Sequence, residues 1–222
     1  AMDDIADNGD LLPKDKLARL DRFEKALTGK VLGDPALTKS YEVARSSTQT
    51  GVTLRHSVDL IKAFKQDAVK RRYVDWGDLM GYCNLSASPV GRFILDLHGE
   101  ETSNYLASDA LCNTLQVLNH LQDLKDDRGA LDRVYLPGSW MAAQGVSVED
   151  LEGDSASPGL RAVIDLCLDQ CDLLLIDARR LLSELESRRL RMEVSVIIRL
   201  ADRLIARLRM NDPIAHRVAL TK

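Results

Sequence analysis

A row of oxygen-bearing side chains runs along one side of a predicted helix in the middle of the chain. Apolar residues recur at helical spacing over residues 103–127. Four side chains fall there within an arc of roughly 80° at 100° per residue: Gln116, Asn119, Asp123 and Asp127. Burying this face beside leucines is costly unless a cation neutralises it. Taken alone, the row is more simply explained as a solvated helix face than as a binding site.

A second acidic cluster, Asp3, Asp4 and Asp7, opens the sequence. Asp3 and Asp7 are four residues apart, a spacing that places both on one face of a helix. Two helices that each offer oxygen ligands at this spacing can face each other across a bundle. Hard oxygen ligands at this density suit Mg²⁺, which retains waters and binds substrate phosphates. The two clusters together therefore predict a magnesium site.

A magnesium site beside an apolar core favours a lipid diphosphate as substrate. The metal acts as a Lewis acid on a diphosphate leaving group, while Leu, Ile and Val side chains would line a cavity for the hydrocarbon. A di-iron carboxylate bundle is excluded, because it requires Glu-x-x-His pairs. No histidine in the sequence has a glutamate three residues before it: His56, His98, His120, His216.

Composition and periodicity indicate one all-α domain over residues 1–222. Hydrophobic residues make up 45% of the chain and aromatic residues only 5%, which fits helix packing better than a β-sandwich. About eight helices are predicted, with no strand. Their ranges are 14–29, 35–43, 57–73, 76–99 with a break at Ser88-Pro89, 103–127, 140–144, 158–185 and 188–209. Residues 128–139 are predicted to be a loop.

Charge and cysteine usage limit the partners and the compartment. The net charge is −4 and the basic residues are spread along the chain, which argues against nucleic acid as a partner. The four cysteines have no Cys-x-x-Cys spacing, which favours core residues in a reducing compartment, and hence a cytoplasmic protein. No apolar run approaches the ~20 residues of a membrane-spanning helix. No basic amphipathic helix is evident either, although an oily substrate is compatible with peripheral contact at the inner membrane.

Several motifs, in order along the whole chain, resemble those of the squalene/phytoene synthase family. They are Asp3-Asp4-x-x-Asp7, Tyr82-Cys83 with Val90-Gly91, Gln116-x-x-Asn119-x-x-x-Asp123-x-x-x-Asp127, Arg133-x-Tyr135-Leu136-Pro137 and the basic tail 217–222. The resemblance implies a single-domain class I isoprenoid synthase helical bundle, Mg²⁺ as cofactor, a prenyl diphosphate substrate, and other squalene-pathway enzymes as partners. It also implies a helix before Asp3. This sequence lacks that helix, so we expect a bundle without its first helix.

The resemblance also implies roles for individual residues. It assigns metal binding to Asp3, Asp7, Asn119, Asp123 and Asp127. It assigns substrate binding to Gln116, Arg133, Tyr135 and Arg217. The two arginines suit this role because a guanidinium group donates two parallel hydrogen bonds to phosphate oxygens. It assigns catalytic roles to Tyr82, Asp3 and Asp123. The ring of Tyr82 would stabilise a carbocation and its hydroxyl would handle a proton. Gln122 stands where the family has an arginine, so one phosphate contact is missing.

The segment before Val90 indicates one branch of the family. Most members have Val-Ala-Gly there, whereas residues 85–89 read Leu-Ser-Ala-Ser-Pro, which is similar to the bacterial hopanoid branch. That resemblance implies ionisation of presqualene diphosphate, rearrangement of the cyclopropyl cation, and capture by water to give hydroxysqualene. Two alternatives stay open. One is head-to-head condensation of two farnesyl diphosphates, and the other is a catalytically silent helical subunit that binds a partner enzyme.

Some of these residues also have ordinary structural explanations. Tyr82 equally fits a core tyrosine with a satisfied hydroxyl. Arg217 lies near a chain end, where solvated cations are usual. We expect His120 on the helix surface, and Trp76 and Trp140 as packing anchors.

Overall fold

The structure, a computed structural model, describes residues 2–220 and, for Asp3, the backbone alone. The described residues form α-helices, short 3-10 turns and loops, with no β-strand, so the predicted all-α class is confirmed. The α-helices are α1 (Asp3–Ala6), α2 (Pro13–Leu27), α3 (Thr38–Thr50), α4 (Arg55–Asp67), α5 (Trp76–Ser86), α6 (Ser88–His98), α7 (Tyr105–Gln122), α8 (Leu124–Leu131), α9 (Gly138–Ala143), α10 (Pro158–Ala178), α11 (Leu181–Glu184) and α12 (Arg188–Met210). They outnumber the eight predicted, chiefly because the two long predicted helices over 103–127 and 158–185 are each divided.

Side-chain caps and glycines set several helix boundaries where the sequence predicts them. The Asp75 carboxylate accepts a hydrogen bond from the Asp78 amide at 2.8 Å, which starts α5. Ser157 accepts from the Leu160 amide at 3.2 Å at the start of α10, where a proline occupies the first turn. Gly99 ends α6 with a φ of 71°, a left-handed conformation that glycine adopts without steric cost.

Helix α7 is the centre of the bundle and packs against α5, α6, α10 and α12. Its Leu118 and Leu121 belong to one continuous apolar core that also includes Leu168 and Leu175 of α10. Each such leucine contributes roughly 1.5–3 kcal/mol when it is fully buried. Apolar packing therefore fixes the helix that carries Gln116 and Asn119.

The predicted packing roles of the tryptophans and cysteines are also confirmed. Trp76 and Trp140 stack with ring centroids 5.5 Å apart, which joins α5 to α9. The four cysteines have free thiols, and all but the half-buried Cys112 are fully buried. No helix within residues 2–220 has the length and apolar character needed to cross a membrane.

The predicted helix boundaries beside the oxygen-bearing rows are wrong in three places. Helix α1 ends before Asp7, so this residue follows the helix instead of stacking within it. Helix α7 ends before Asp123, and α8 extends through residues 128–131, which were predicted to be loop. The C-terminal end of a helix disfavours carboxylates, whereas the N-terminal end of the next helix favours them. The break at Asp123 therefore places Asp127 in the first turn of a new helix.

We expect the substitution Gly91→Ala to destabilise the fold, because α6 and α7 approach each other closely at this residue. A Cβ on Gly91 would collide with the Ser108 hydroxyl and lie 2.6 Å from Cys112 Sγ. Such overpacking costs roughly 1–3 kcal/mol, and urea denaturation measures it as a lower free energy of unfolding.

The matched control is Gly81→Ala in the interior of α5, where an added Cβ meets nothing within 4 Å. Alanine is the better helix former by about 1 kcal/mol, so this variant is expected to be neutral or more stable. Equal losses of stability in the two variants would contradict the close helix approach.

Candidate active site

A cavity of about 230 Å³ lies between α4, α5, α7 and α8, next to the residue that follows α1 and the loop that follows α8. Its lining residues are Asp7, Leu60, Ala63, Phe64, Asp67, Tyr82, Ser86, Gln116, Asn119, His120, Asp127, Leu131, Arg133 and Tyr135. Apolar side chains come mainly from α4, and polar oxygens come from α7, α8 and the start of the chain. The cavity therefore joins segments that are far apart in sequence.

The cavity brings together most of the residues to which the sequence assigns a role. Seven of them line it: Asp7, Tyr82, Gln116, Asn119, Asp127, Arg133 and Tyr135. Asp123 and Arg217 are not part of the lining, and they form an ion pair with each other at 3.0 Å. The side chain of Asp3 lies outside the described residues, so its expected metal contact stays a prediction.

Arg133 connects three of the segments around the cavity. Its side chain is only 5% exposed, and it forms an ion pair with Asp7 at 2.7 Å. It also donates a hydrogen bond to the Asp67 carbonyl at the end of α4, at 3.0 Å. Burial alone would lower the pKa of Arg133, but Tyr135 and the nearby acids Asp67 and Asp7 together outweigh burial and raise it. The guanidinium therefore stays charged inside the bundle.

Tyr82, His120 and Tyr135 form an aromatic wall on one side of the cavity. The His120 and Tyr135 rings are stacked with centroids 3.5 Å apart, and Tyr82 lies 5.7 Å from Tyr135. The Tyr82 hydroxyl donates a hydrogen bond to the Asp67 carboxylate at 3.1 Å. Burial raises the pKa of Tyr82, and the Asp67 charge raises it further. The phenol is therefore protonated at neutral pH.

The expectation that His120 lies on the helix surface is wrong. The loop after α8 folds back over α7 and covers the imidazole with the Tyr135 ring. Burial and the charge of Arg133 lower the pKa of His120 to about 3, so the ring is neutral. Its Nε2 lies 3.1 Å from the Gln116 side-chain nitrogen. In the sequence, only the four-residue spacing between Gln116 and His120 indicated that their side chains could be in contact.

The segment around Arg217 is held against the end of α7. Val218 is buried, and its carbonyl accepts a hydrogen bond from the side-chain amide of Gln122. Gln122 stands where the family pattern has an arginine, and here it binds backbone. This contact holds Arg217 beside Asp123, so the arginine is not a frayed terminal cation.

The carboxylates at the α7–α8 junction repel one another. Burial and the charge of Asp123 raise the pKa of Asp127 to about 6; Asp7 adds to the shift and Arg133 opposes it. Within the described residues, no three His, Cys, Asp or Glu side chains are grouped closely enough to hold a metal ion. Mg²⁺ is usually bound by one or two carboxylates together with waters and phosphates. Asp7, Asn119 and Asp127 fit a metal of that kind.

We expect Asp127→Asn to stabilise the metal-free protein at high pH. The unfolded carboxyl loses its proton near pH 3.8 and the folded one near pH 6. Above pH 6 the ionised Asp127 therefore destabilises the fold, and this effect vanishes below about pH 4. Allowing for solvent screening, the gain at pH 8 is about 1 kcal/mol, or roughly 2–4 °C in Tm. Thermal unfolding in a chelator at pH 8, 5 and 4 measures it.

The matched control is Asp126→Asn, which removes the same charge from the neighbouring exposed position. Its Tm should change by less than that of Asp127→Asn, because Asp126 makes the smallest contribution to the raised pKa of Asp127 among the neighbouring charges. A gain for Asp127→Asn that is equally large at pH 4 and pH 8 would contradict the raised pKa.

Comparisons with known proteins identify the family of this chain. The squalene/phytoene synthase family model matches residues 1–222. The chain is 43% identical over 218 residues to the hydroxysqualene synthase of Rhodopseudomonas palustris, covering 98% of this chain and 74% of that protein. It is 40% identical over 219 residues to the hydroxysqualene synthase of Sinorhizobium fredii, covering 99% of this chain and 74% of that protein. A solved squalene synthase from Alicyclobacillus acidocaldarius is similar with a TM-score of 0.80 and 30% identity, over 94% of this chain and 78% of that one.

Proposed function

The chain belongs to the squalene/phytoene synthase family, and we propose that it converts presqualene diphosphate to hydroxysqualene in a Mg²⁺-dependent reaction. As a member of this family it is an enzyme of isoprenoid biosynthesis. Two relatives named hydroxysqualene synthase, 40% and 43% identical, support this reaction. The observation that carries the proposal is the cavity in which acidic and amide oxygens lie together with an aromatic wall.

The proposed reaction replaces diphosphate by a hydroxyl group. The bond between the substrate carbon and the diphosphate oxygen breaks, and both electrons leave with the diphosphate. The resulting cyclopropylcarbinyl cation rearranges, with opening of the ring, to an open-chain cation. A water oxygen then bonds to the cationic carbon and loses a proton, which leaves hydroxysqualene.

The polar side of the cavity would bind the diphosphate. We assign Mg²⁺ binding to Asp7, Asn119 and Asp127 at the cavity, and to Asp3 and Asp123 from the family pattern. When it is bound, Mg²⁺ neutralises diphosphate oxygens and makes diphosphate a better leaving group. Two of these carboxylates already lie next to an arginine: Asp7 pairs with Arg133, and Asp123 pairs with Arg217. A guanidinium group is well suited to bind phosphate oxygens.

The aromatic wall would protect the cationic intermediate. The rings of Tyr82 and Tyr135 offer electron-rich faces that attract a carbocation. His120 is neutral, so it adds no charge that would repel the cation. Leu60, Phe64 and other apolar lining residues exclude bulk water, which would otherwise quench the cation before it rearranges.

Condensation of two farnesyl diphosphates to presqualene diphosphate or squalene is the second candidate. The specific observation that favours it is the similarity to the solved squalene synthase of Alicyclobacillus acidocaldarius. Both candidates need the same diphosphate-binding residues, so the difference lies in which substrate the enzyme consumes.

Product analysis with purified protein separates the two candidates. We expect presqualene diphosphate to be converted to hydroxysqualene and diphosphate with Mg²⁺ present, and no turnover after chelation, since the crowded carboxylates then face the diphosphate without a counter-ion. Farnesyl diphosphate alone should yield no C30 product. Turnover of farnesyl diphosphate would transfer the assignment to the second candidate, and no turnover of either would favour a silent subunit.

We expect Asp7→Asn to raise the Mg²⁺ concentration needed for half-maximal activity on the order of tenfold, because the metal site loses one negative charge. Titration of activity with Mg²⁺ measures this. Asp10→Asn is the matched control, since Asp10 is an exposed acid in the same segment and does not line the cavity. Identical Mg²⁺ curves for wild type and Asp7→Asn would remove Asp7 from the metal site.

A further inference from the structure

The side of α12 that faces solvent is made almost entirely of large apolar residues and arginines. The opposite side of the helix, with Leu190 and Ile198, is buried in the bundle. On the outward side, Met192, Val196 and Leu200 recur every four residues and are 72%, 57% and 47% exposed. This spacing places the three side chains within roughly 80° of one another. They form a row, unlike the single exposed apolar residues that every protein surface carries.

The same outward side carries an excess of positive charge. Four arginines fall there within roughly 100° of one another: Arg188, Arg199, Arg203 and Arg207. Among residues 2–220, none of these four makes an ion pair, whereas Arg189 pairs with Glu193 of the same helix. Glu193 and Asp202, the acids of α12, lie roughly 80–100° from the centre of the outward side. No carboxylate of α12 therefore offsets the four arginines.

Helix α10, which packs beside α12, does not cancel this charge. Two of its exposed carboxylates, Asp169 and Asp172, pair with Arg209 at 2.7 and 2.8 Å. Asp202 of α12 pairs with Arg179, which follows α10, at 2.6 Å. These ion pairs occupy the flank between the two helices. The outward arginines remain available to an anionic partner.

We propose that the outward side of α12 is a docking surface for an anionic lipid bilayer. Guanidinium groups bind lipid phosphates, and apolar side chains between them enter the boundary between headgroups and acyl chains. A nucleic acid or an acidic protein would match the arginines but leave the apolar row in water. A second copy of this chain would bring the unpaired arginines of both copies together across a twofold interface. Only the bilayer matches both the charge and the apolar row.

Helix α6 carries a second exposed apolar row, which differs from the row on α12 in the charge that accompanies it. Val90, Ile94 and Leu97 are between 39% and 52% exposed, so the row resembles that on α12 in size. The arginine of α6, Arg92, is paired with Asp109 of α7. No free cation of α6 accompanies its apolar row, so this row serves as the control.

Co-sedimentation of the full chain with vesicles tests the proposal. We expect the protein to sediment with equimolar phosphatidylglycerol and phosphatidylcholine at low salt, and not with phosphatidylcholine alone. Arg199→Ser combined with Arg203→Ser should weaken binding about 25-fold, since each arginine near an anionic surface is worth about fivefold. Met192→Ser, Val196→Ser and Leu200→Ser combined should weaken it at least as much. Circular dichroism and Tm confirm that the variants fold.

Two matched controls should bind vesicles within twofold of wild type. Arg19→Ser with Arg45→Ser removes the same charge from exposed positions on α2 and α3. The triple serine variant at the α6 row removes a similar apolar area. The read-out is vesicle binding, so it does not depend on the proposed reaction.

Four outcomes would overturn the proposal. The first is no binding to anionic vesicles, and the second is an equal loss of binding in the α12 variants and the controls. The third is a loss with the arginine variant while the apolar variant binds like wild type, which indicates a polyanionic partner. The fourth is a dimer in sedimentation velocity that the apolar α12 variant dissociates, which indicates a second copy of the chain.

Discussion

The balance of buried charge around the start of α8 is the constraint on which the site depends. Asp123 and Asp7 both act on the Asp127 carboxyl, while Arg133 opposes them and pairs with Asp7, and Arg217 pairs with Asp123. The pKa of Asp127, raised to about 6, shows that this compensation is incomplete. The fold tolerates the repulsion because the apolar core between α7 and α10 contributes far more stability than one unfavourable carboxylate removes. Such a local cost is common where a protein must bind a charged ligand.

The parts of the fold that could be predicted from the sequence are those set by local chemistry. Asp75 caps α5 and Ser157-Pro158 starts α10 through contacts within three residues, so a short motif is enough to predict them. Gln116 and Asn119 share a face because both lie within the regular part of α7. The convergence of the distant acidic segment with this face was predicted from the two clusters together and from the family pattern, since one row alone is more simply explained as a solvated face.

The features that the sequence did not predict depend on contacts between distant segments. The helix break at Asp123 is accompanied by an ion pair to Arg217, far along the chain. His120 is buried because the Tyr135 loop folds back over it. The outward side of α12 is hidden in the sequence for a different reason. Its strong helical periodicity indicates the buried row, and only the packing against α7 and α10 shows that the other apolar residues stay exposed.

The crowded carboxyl group of Asp127 makes the stability of the folded chain depend on ligand binding. A ligand that brings positive charge to that group binds the folded chain and not the unfolded one. At a hundredfold excess over its Kd, such a ligand adds about 2.7 kcal/mol to the free energy of unfolding. Proteases degrade chains in proportion to the population that opens. Under the proposed function, chains without bound Mg²⁺ would open more often than chains that hold it, and they would be degraded sooner.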